Sequence, residues 1–310
     1  MEFSHMPVLA RECVEALNIR EDGIYVDATT GGGGHSALIA ERVPSGRLIC
    51  IDRDADALSA AQDRLEPFKD RITFVKSNFE DLRSVLNDLS VPAIDGILFD
   101  LGVSSYQLDN PERGFSYMKD APLDMRMDRE QSFSAFELVN ESSEQELGRI
   151  IFLYGEERFA RRVAAGIVLR RQQAPIRTTL ELTDVIRRAM PAPALREKQH
   201  PAKRTFQAIR IAVNGELQAV EKALTEAIDL CAPGGRVAVI SFHSLEDRIA
   251  KTVFAETARG CTCPPQFPVC ICGKKPRIKL ICKGGVTPMP EEQEQNPRAR
   301  SARLRAAEKI

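Results

Sequence analysis

The sequence has no apolar run of about 18 residues, so no membrane-spanning helix is expected. Its first residues, MEFSHMPVLARECVEAL, hold no basic stretch followed by an apolar one. No secretory signal is therefore expected, and the cytoplasm is the default location. Without such a signal, the eight cysteines argue against a disulfide framework. Net charge is nearly absent: 43 Lys and Arg stand against 44 Asp and Glu, for a formal −1. Affinity for nucleic acid would have to come from local patches. There is no internal repeat, and the only biased segment is the acidic Glu291–Glu294. What remains, 310 residues at 43% hydrophobic and 28% charged, describes a soluble globular chain with core enough for one large domain or two.

The stretch that organises the chain is IYVDATTGGGGHSALIA, residues 24–40. It reads as a short apolar strand (Ile24–Val26), an acid at its tip (Asp27), four glycines (Gly31–Gly34) and a helix from about His35. Glycines at 31 and 33 permit positive φ and let a ligand approach the backbone. The helix start adds unpaired N–H groups and a positive dipole end. A second strand, Arg47–Asp52, ends in an acid placed to accept both hydroxyl hydrogens of a ribose. Together these point to a nucleoside-containing cofactor. The plainer alternative is a tight βαβ turn with Asp52 capping the next helix.

The pattern continues as alternating helices and strands. Helices are expected at Val8–Leu17, Ser36–Arg42, Asp54–Leu65 and Leu82–Leu89, with strands at Ile72–Lys76 and Ile94–Leu101. This alternation implies a parallel sheet covered by helices on both faces. Ligands of such sheets bind at the carboxyl ends of the strands. Gly31–Gly34, Asp52, Phe79 and Asp100 all fall at such ends. The rhythm then stops. Residues 102–128 read as a long ordered loop, of the kind that is usually functional. Residues 133–190 follow with a helical pattern: Phe133–Val139, Glu144–Tyr154, Glu156–Arg171 and Leu180–Ala189, ended by Pro191 and Pro193. Residues 149–210 carry 14 Lys and Arg against 5 Asp and Glu. That excess suits phosphate contacts, although solvated helix faces are the commoner fate of charge runs. The αβ pattern resumes with His200–Asn214, a helix Glu216–Cys231, a turn at Pro233–Gly235, a strand Arg236–Phe242, a helix from His243 to about Ala258 and a strand Ile278–Lys283. The alternation near the C-terminus, ARLRAAEK, could add a last strand.

Four thiols, Cys261, Cys263, Cys270 and Cys272, fall within 12 residues with prolines between. They could hold a structural zinc at Zn–S distances of about 2.3 Å. Their Cys-x-Cys spacing departs from the usual Cys-x-x-Cys, and a plain thiol cluster in a loop is the other reading. No metal is assigned to the candidate active site.

Several blocks, in order along the chain, carry a resemblance to a known family. They are GGGGHS (31–36), DLGVSSYQLD (100–109), ERGFS (112–116), LDMRMD (123–128), YGEERFA (154–160), HPAKRTFQAIRI (200–211), SFHSLEDR (241–248) and NPRARS (296–301). The chain resembles the ribosomal RNA small-subunit methyltransferase H family. The resemblance implies a Rossmann-like methyltransferase fold, α/β with a mostly parallel seven-stranded sheet and a helical domain inserted after strand 4. The expected division is residues 1–107 with 200–310 for the methyltransferase domain and 108–199 for a substrate-recognition domain. It also implies S-adenosyl-L-methionine as cofactor and methylation of N4 of a cytidine in 16S ribosomal RNA near the decoding centre, with the small ribosomal subunit as partner. By the same resemblance, Gly33, Gly34 and His35 lie against the methionine part of the cofactor, Asp52 holds the ribose and Phe79 lies near the adenine. Asp100 and Gln107 line the far side.

Cytosine's exocyclic nitrogen is a weak nucleophile because its lone pair is spread into the ring. A carboxylate accepting one amine hydrogen would localise that pair, and Asp100 is the candidate. Amino-methyltransferases often carry Asp/Asn-Pro-Pro-aromatic at this turn. Here it is Asp100-Leu101-Gly102-Val103, so base stacking would come from Tyr106, Phe115 or Phe206. His243 is a second catalytic candidate, or else a helix cap. His200, Lys203, Arg204 and Arg210 are candidates for RNA contact. The chain is expected to be a monomer or a homodimer. Two other readings compete. One is an NAD-dependent dehydrogenase, which shares Gly31-x-Gly33 and Asp52 but would want Gly or Ala where Ser36 stands. The other is a non-catalytic RNA-binding assembly factor.

Overall fold

The computed structural model describes residues 7–261, 263–264, 266–267, 269 and 271–310. The chain forms two compact units. One comprises the chain up to Gly102 together with Leu217–Ile310, and the other is Val103–Glu216.

In the first unit, strands β1 (Ile24–Asp27), β2 (Arg47–Asp52), β3 (Ile72–Lys76), β4 (Ile94–Asp100), β5 (Cys231–Ser241), β6 (Ile278–Leu280) and β7 (Arg303–Lys309) form one sheet in the order β3-β2-β1-β4-β5-β7-β6. Pairs among β1 to β5 are parallel. β7 runs antiparallel to both β5 and β6. The mostly parallel sheet agrees with the expected fold. The reversed β7 also separates it from the all-parallel double mononucleotide unit of a dehydrogenase.

Strand periodicity explains the layers. In β2, Leu48 and Cys50 face one side with α1 (Ala10–Leu17), α2 (Gly34–Ala40) and α3 (Ala55–Leu65), while Ile49 and Ile51 face the other. That second face is covered by α4 (Leu82–Asp88), α12 (Glu216–Leu230) and α13 (Ser244–Ala258). Burial on both faces is why β2 reads as a continuous apolar run rather than an alternating one. The expected helix and strand positions hold to within a few residues. One difference is instructive. The Pro233-Gly234-Gly235 turn belongs to β5, where the register against β4 slips between Ile94 and Gly96. Sheet pairing carries the strand through the turn residues as an irregularity.

The second unit holds α5 (Ser105–Asp109), α6 (Ala135–Glu141), α7 (Glu144–Gly155), α8 (Ala160–Arg171), α9 (Thr179–Ala189), the short α10 (Ala192–Leu195) and α11 (Lys203–Asn214). It has its own core, including Leu147, Ile151, Val163, Ile167, Leu182, Ile186, Phe206 and Ile209. The unit runs past residue 199 because the apolar face of α11 packs into this core. Pro191 and Pro193 start α10 instead of closing the helical region. The acidic residues 291–294 lie in a short helix, α14 (Pro290–Gln295). Among the described residues, no helix is long and apolar enough to cross a membrane.

Candidate active site

The carboxyl ends of β1, β2 and β4 bring three aspartates, Asp27, Asp52 and Asp100, to one rim of the sheet. Each is held by the loop between β1 and α2. Asp27 is buried; its Oδ2 accepts from Ser36 Oγ at 2.6 Å and its Oδ1 from the Thr29 amide at 3.2 Å. Burial raises its pKa. Thr29 Oγ1 accepts from the Asp100 amide at 2.6 Å, and Thr30 donates its amide and its hydroxyl to the Ile51 carbonyl, each at 3.0 Å. The residues after β1 thus tie the ends of β2 and β4 together. Asp27, Thr29, Thr30 and Ser36 were not among the expected site residues. The signal was the Asp-Ala-Thr-Thr run at the strand tip, where short polar side chains bond local backbone.

Gly31 and Gly33 take the positive φ expected of them, +50° and +76°. Gly33 has φ +76° and forms the N-terminal cap of α2. A Cβ there would lie 3.3 Å from Ala61 and from Leu65 Cδ1 of α3, and one at Gly34 would lie 3.2 Å from Pro7. At both positions a side chain would crowd neighbouring protein atoms. At Gly32, by contrast, a Cβ would meet nothing within 4 Å.

Asp52 Oδ2 accepts from the Gly31 amide at 2.8 Å, and Oδ1 from the Asp54 amide at 2.9 Å. Burial outweighs these bonds and pushes its pKa up to about 6. Each carboxylate oxygen offers about two lone-pair sites, so both can accept again. Asp54 is the N-cap of α3. The capping role considered for Asp52 therefore belongs to its neighbour.

His35 is buried. Its Nε2 lies 2.9 Å from the Val8 carbonyl, which can only accept, so Nε2 carries a hydrogen. Nδ1 lies 3.4 Å from Asp100 Oδ2. Burial pulls the ring's pKa down, but bonds with Asp100 and Cys13 override it and leave it well above the usual histidine value. The His35 ring and the Asp100 carboxylate thus meet at the end of β4. The other oxygen, Asp100 Oδ1, is shielded from solvent and meets no hydrogen-bond donor among the described residues. A buried acceptor left unmatched costs free energy, so this atom is suited to a donor brought by a ligand. Phe79 follows β3 and meets Phe99 of β4 edge to face at 5.8 Å. It packs on the core while part of it remains accessible.

Other expected residues serve the framework. His243 caps α13: its Nδ1 accepts from the Glu246 amide at 3.4 Å, while Glu246 accepts from the His243 and Phe242 amides. Gln107 lies in the helical unit, buried, closing a capping box with Ser104 at the start of α5. His200 stacks on Tyr117 with centroids 4.6 Å apart and accepts from the Ala202 amide. Burial, then Arg187, lowers its pKa, so its ring is neutral near pH 7. Arg210 grips Glu216 through two 2.8 Å bonds, both side chains being nearly buried. Arg204 donates to the Glu156 carbonyl, and Lys203 is exposed.

Comparison with known proteins shows the family. A sequence profile of the MraW methylase family matches residues 2–310. A ribosomal RNA small subunit methyltransferase H of Brevibacillus brevis is 55% identical over 311 residues, covering 100% of this chain and 99% of the relative. Those of Heliobacterium mobile and Finegoldia magna are 56% and 52% identical, with 100% of both chains covered in each case. Matched along its whole length to these relatives, the chain belongs to the MraW methylase family and is an S-adenosyl-L-methionine-dependent methyltransferase.

Proposed function

We propose that the enzyme methylates the N4 exocyclic amine of a cytidine in 16S ribosomal RNA, near the decoding centre of the small subunit. The observation that carries this reading is the Asp100 carboxylate. One of its oxygens faces His35 and the other is buried without a donor among the described residues.

The rim fits the cofactor by the chemistry of its donor set. Asp52 would take the ribose hydroxyls on its remaining lone pairs, Phe79 would lie against the adenine, and the backbone at Gly32–Gly34 with His35 would border the methionine part. Gln107 is assigned to the far side of the cofactor by family resemblance, and its place in a capping box makes it a positioning residue there. When bound, the cofactor supplies an electrophilic methyl on a sulfonium. The protein's task is then to hold the cytosine nitrogen in line with that methyl, about 3 Å away. Asp100 would accept one amine hydrogen and direct the nitrogen lone pair forward. After transfer the proton of the methylated amine passes to Asp100 or to water. His35 fixes the Asp100 carboxylate through its Nδ1 contact; it is a positioning residue. His243 would act at one remove, by setting the start of α13 at the end of β5. The base must leave its stack to reach such a site.

The helical unit would supply the RNA contacts. A groove of about 950 Å³ is lined by Arg149, Arg158, Arg161, Arg162 and the exposed Phe152. Arg149 and Arg158 are paired to Glu146 and Glu197. Arg161 and Arg162 are exposed and make no ion pair among the described residues, which leaves them to phosphates. Lys203 can join them. Arg210 cannot do so while it holds Glu216.

The test is transfer of labelled methyl from the cofactor to purified small subunits, with nucleoside analysis of the product. N4-methylcytidine is expected. Label on another base, or subunits bound with no label transferred, would refute the reading.

A further inference from the structure

A second site lies in the first unit, away from the rim. The segment between α13 and β6 spans residues 259–277, and none of its described residues is buried. Its apolar members are turned outward: Phe267, Val269 and Ile271 are 46%, 70% and 76% exposed. A loop of this length normally closes on side chains of its own, but the described residues of this one form no buried core. Its two ends are nonetheless fixed: the Arg277 amide donates to the Thr257 carbonyl at 3.0 Å, and the Ile310 amide to the Arg277 carbonyl at 3.0 Å.

Three of its cysteines lie together. The Sγ atoms of Cys261, Cys263 and Cys272 all lie within 4.8 Å of one another, and those of Cys261 and Cys272 are 3.8 Å apart. A disulfide would need about 2.05 Å. A tetrahedron of sulfurs around one ion, with bonds of about 2.3 Å, has edges of about 3.8 Å. Two backbone amides also point at the sulfurs: Cys263 N–H at Cys261 Sγ and Ile271 N–H at Cys263 Sγ, each at 3.4 Å. Amides donated to sulfur stabilise a thiolate, and such outer contacts orient metal ligands. The buried cysteines lack this character. Burial pushes Cys50 and Cys231 up to about 12, which keeps them as thiols.

We propose that Cys261, Cys263 and Cys272 bind one zinc ion that holds the loop together. Thiolate ligands favour zinc over magnesium or calcium. Three thiolates leave one position of the tetrahedron for water or a fourth donor. Cys270, the remaining thiol of the sequence cluster, lies outside the described residues. The site is structural. Ile278 pairs with Lys309 and Arg236 with Glu308, so the loop enters β6 at the edge of the sheet opposite the methyl-transfer rim. The zinc takes no part in that reaction, and the proposal does not depend on the RNA substrate.

The test uses full-length protein purified without chelator or metal-affinity resin. Elemental analysis is expected to find about one zinc per chain, as for structural thiolate sites. Titrating the thiols of the wild-type protein with a mercurial should release that zinc in step with their modification, which needs no variant to fold. Cys261→Ser and Cys272→Ser should lose it, while Cys282→Ser should keep it. Metal-free protein should be cut by trypsin after Lys274 faster than the zinc form. The proposal is overturned by wild-type protein holding less than about a tenth of a zinc per chain and taking up none from micromolar zinc. It is equally overturned by zinc retained in the double Cys261→Ser, Cys272→Ser variant, or by a mass showing Cys261 and Cys272 joined as a disulfide.

Discussion

Asp52 offers the sharpest test of the cofactor assignment. Two of its lone-pair sites are taken by the Gly31 and Asp54 amides, which leaves two for a ribose diol. A hydrogen bond to a charged group is worth about 1.5–3 kcal/mol. At a partly exposed rim the lower figure applies, so two such bonds amount to about 3 kcal/mol, or on the order of 100-fold in affinity. Asp52→Ala should weaken binding of the demethylated cofactor by that factor in calorimetry at pH 7.5. The pH dependence follows from the raised pKa of about 6. Only the ionised carboxylate accepts both hydroxyls, so affinity should be level above pH 7 and fall about tenfold by pH 5. Asp52→Asn should abolish that slope. The stability sign runs the other way. A folded-state value above the ordinary one means that the proton is held more tightly in the folded protein. This contribution is complete below about pH 4 and lost as the pH rises through about 6. Asp52→Asn removes the cost of ionising a buried acid while losing one amide acceptor, and its melting midpoint at pH 7.5 should stay within about 5 °C of wild type. A dissociation constant that is flat from pH 7.5 to 5 with the fold intact by circular dichroism would refute the ribose assignment. Unchanged affinity in Asp52→Ala would do the same.

Replacing His35 by Gln removes the imidazole contact to Asp100 Oδ2; methyl transfer should fall at least tenfold at saturating cofactor, and a kcat equal to wild type would show that the pair is dispensable. Gly33→Ala places a Cβ at φ +76° and 3.3 Å from Ala61 and Leu65, so urea unfolding should show a loss of about 1–3 kcal/mol; equal midpoints would count against the packing argument. Charge reversal at Arg161 and Arg162 should weaken RNA binding and lower its salt slope by about one unit for each phosphate no longer engaged, with cofactor affinity unchanged; an unaltered slope would remove these residues from the RNA face. Glu216→Ala leaves Arg210 nearly buried without its carboxylate partner, so stability should drop by about 3–5 kcal/mol. The same variant should not alter the salt slope, and a raised slope would mean that Arg210 reaches RNA once released.

Much of the first unit was legible in the residues alone. Strand and helix positions rest on periodicity and caps, which act between near neighbours, and an acid at a strand end stays there in any packing. The convergence of Asp27, Asp52 and Asp100 on one rim follows from parallel strands, because every carboxyl end then lies on the same side. The resemblance supplied the family and the assignment of residues to parts of the cofactor. Folding decided what each polar side chain meets. His35 and Asp100 are 65 positions apart in the sequence, and no local pattern shows that they form an ion pair. That Gly33 also packs against Ala61 and Leu65 of α3 is visible only once the chain is folded. Arg210 and Glu216 are close in sequence, yet they meet only because Gly215 turns the chain at φ +61°. Composition counts a cation without showing whether a carboxylate already holds it. That pairing depends on how side chains are brought together in three dimensions, which is why the sheet could be read from the sequence while the allocation of its charges could not.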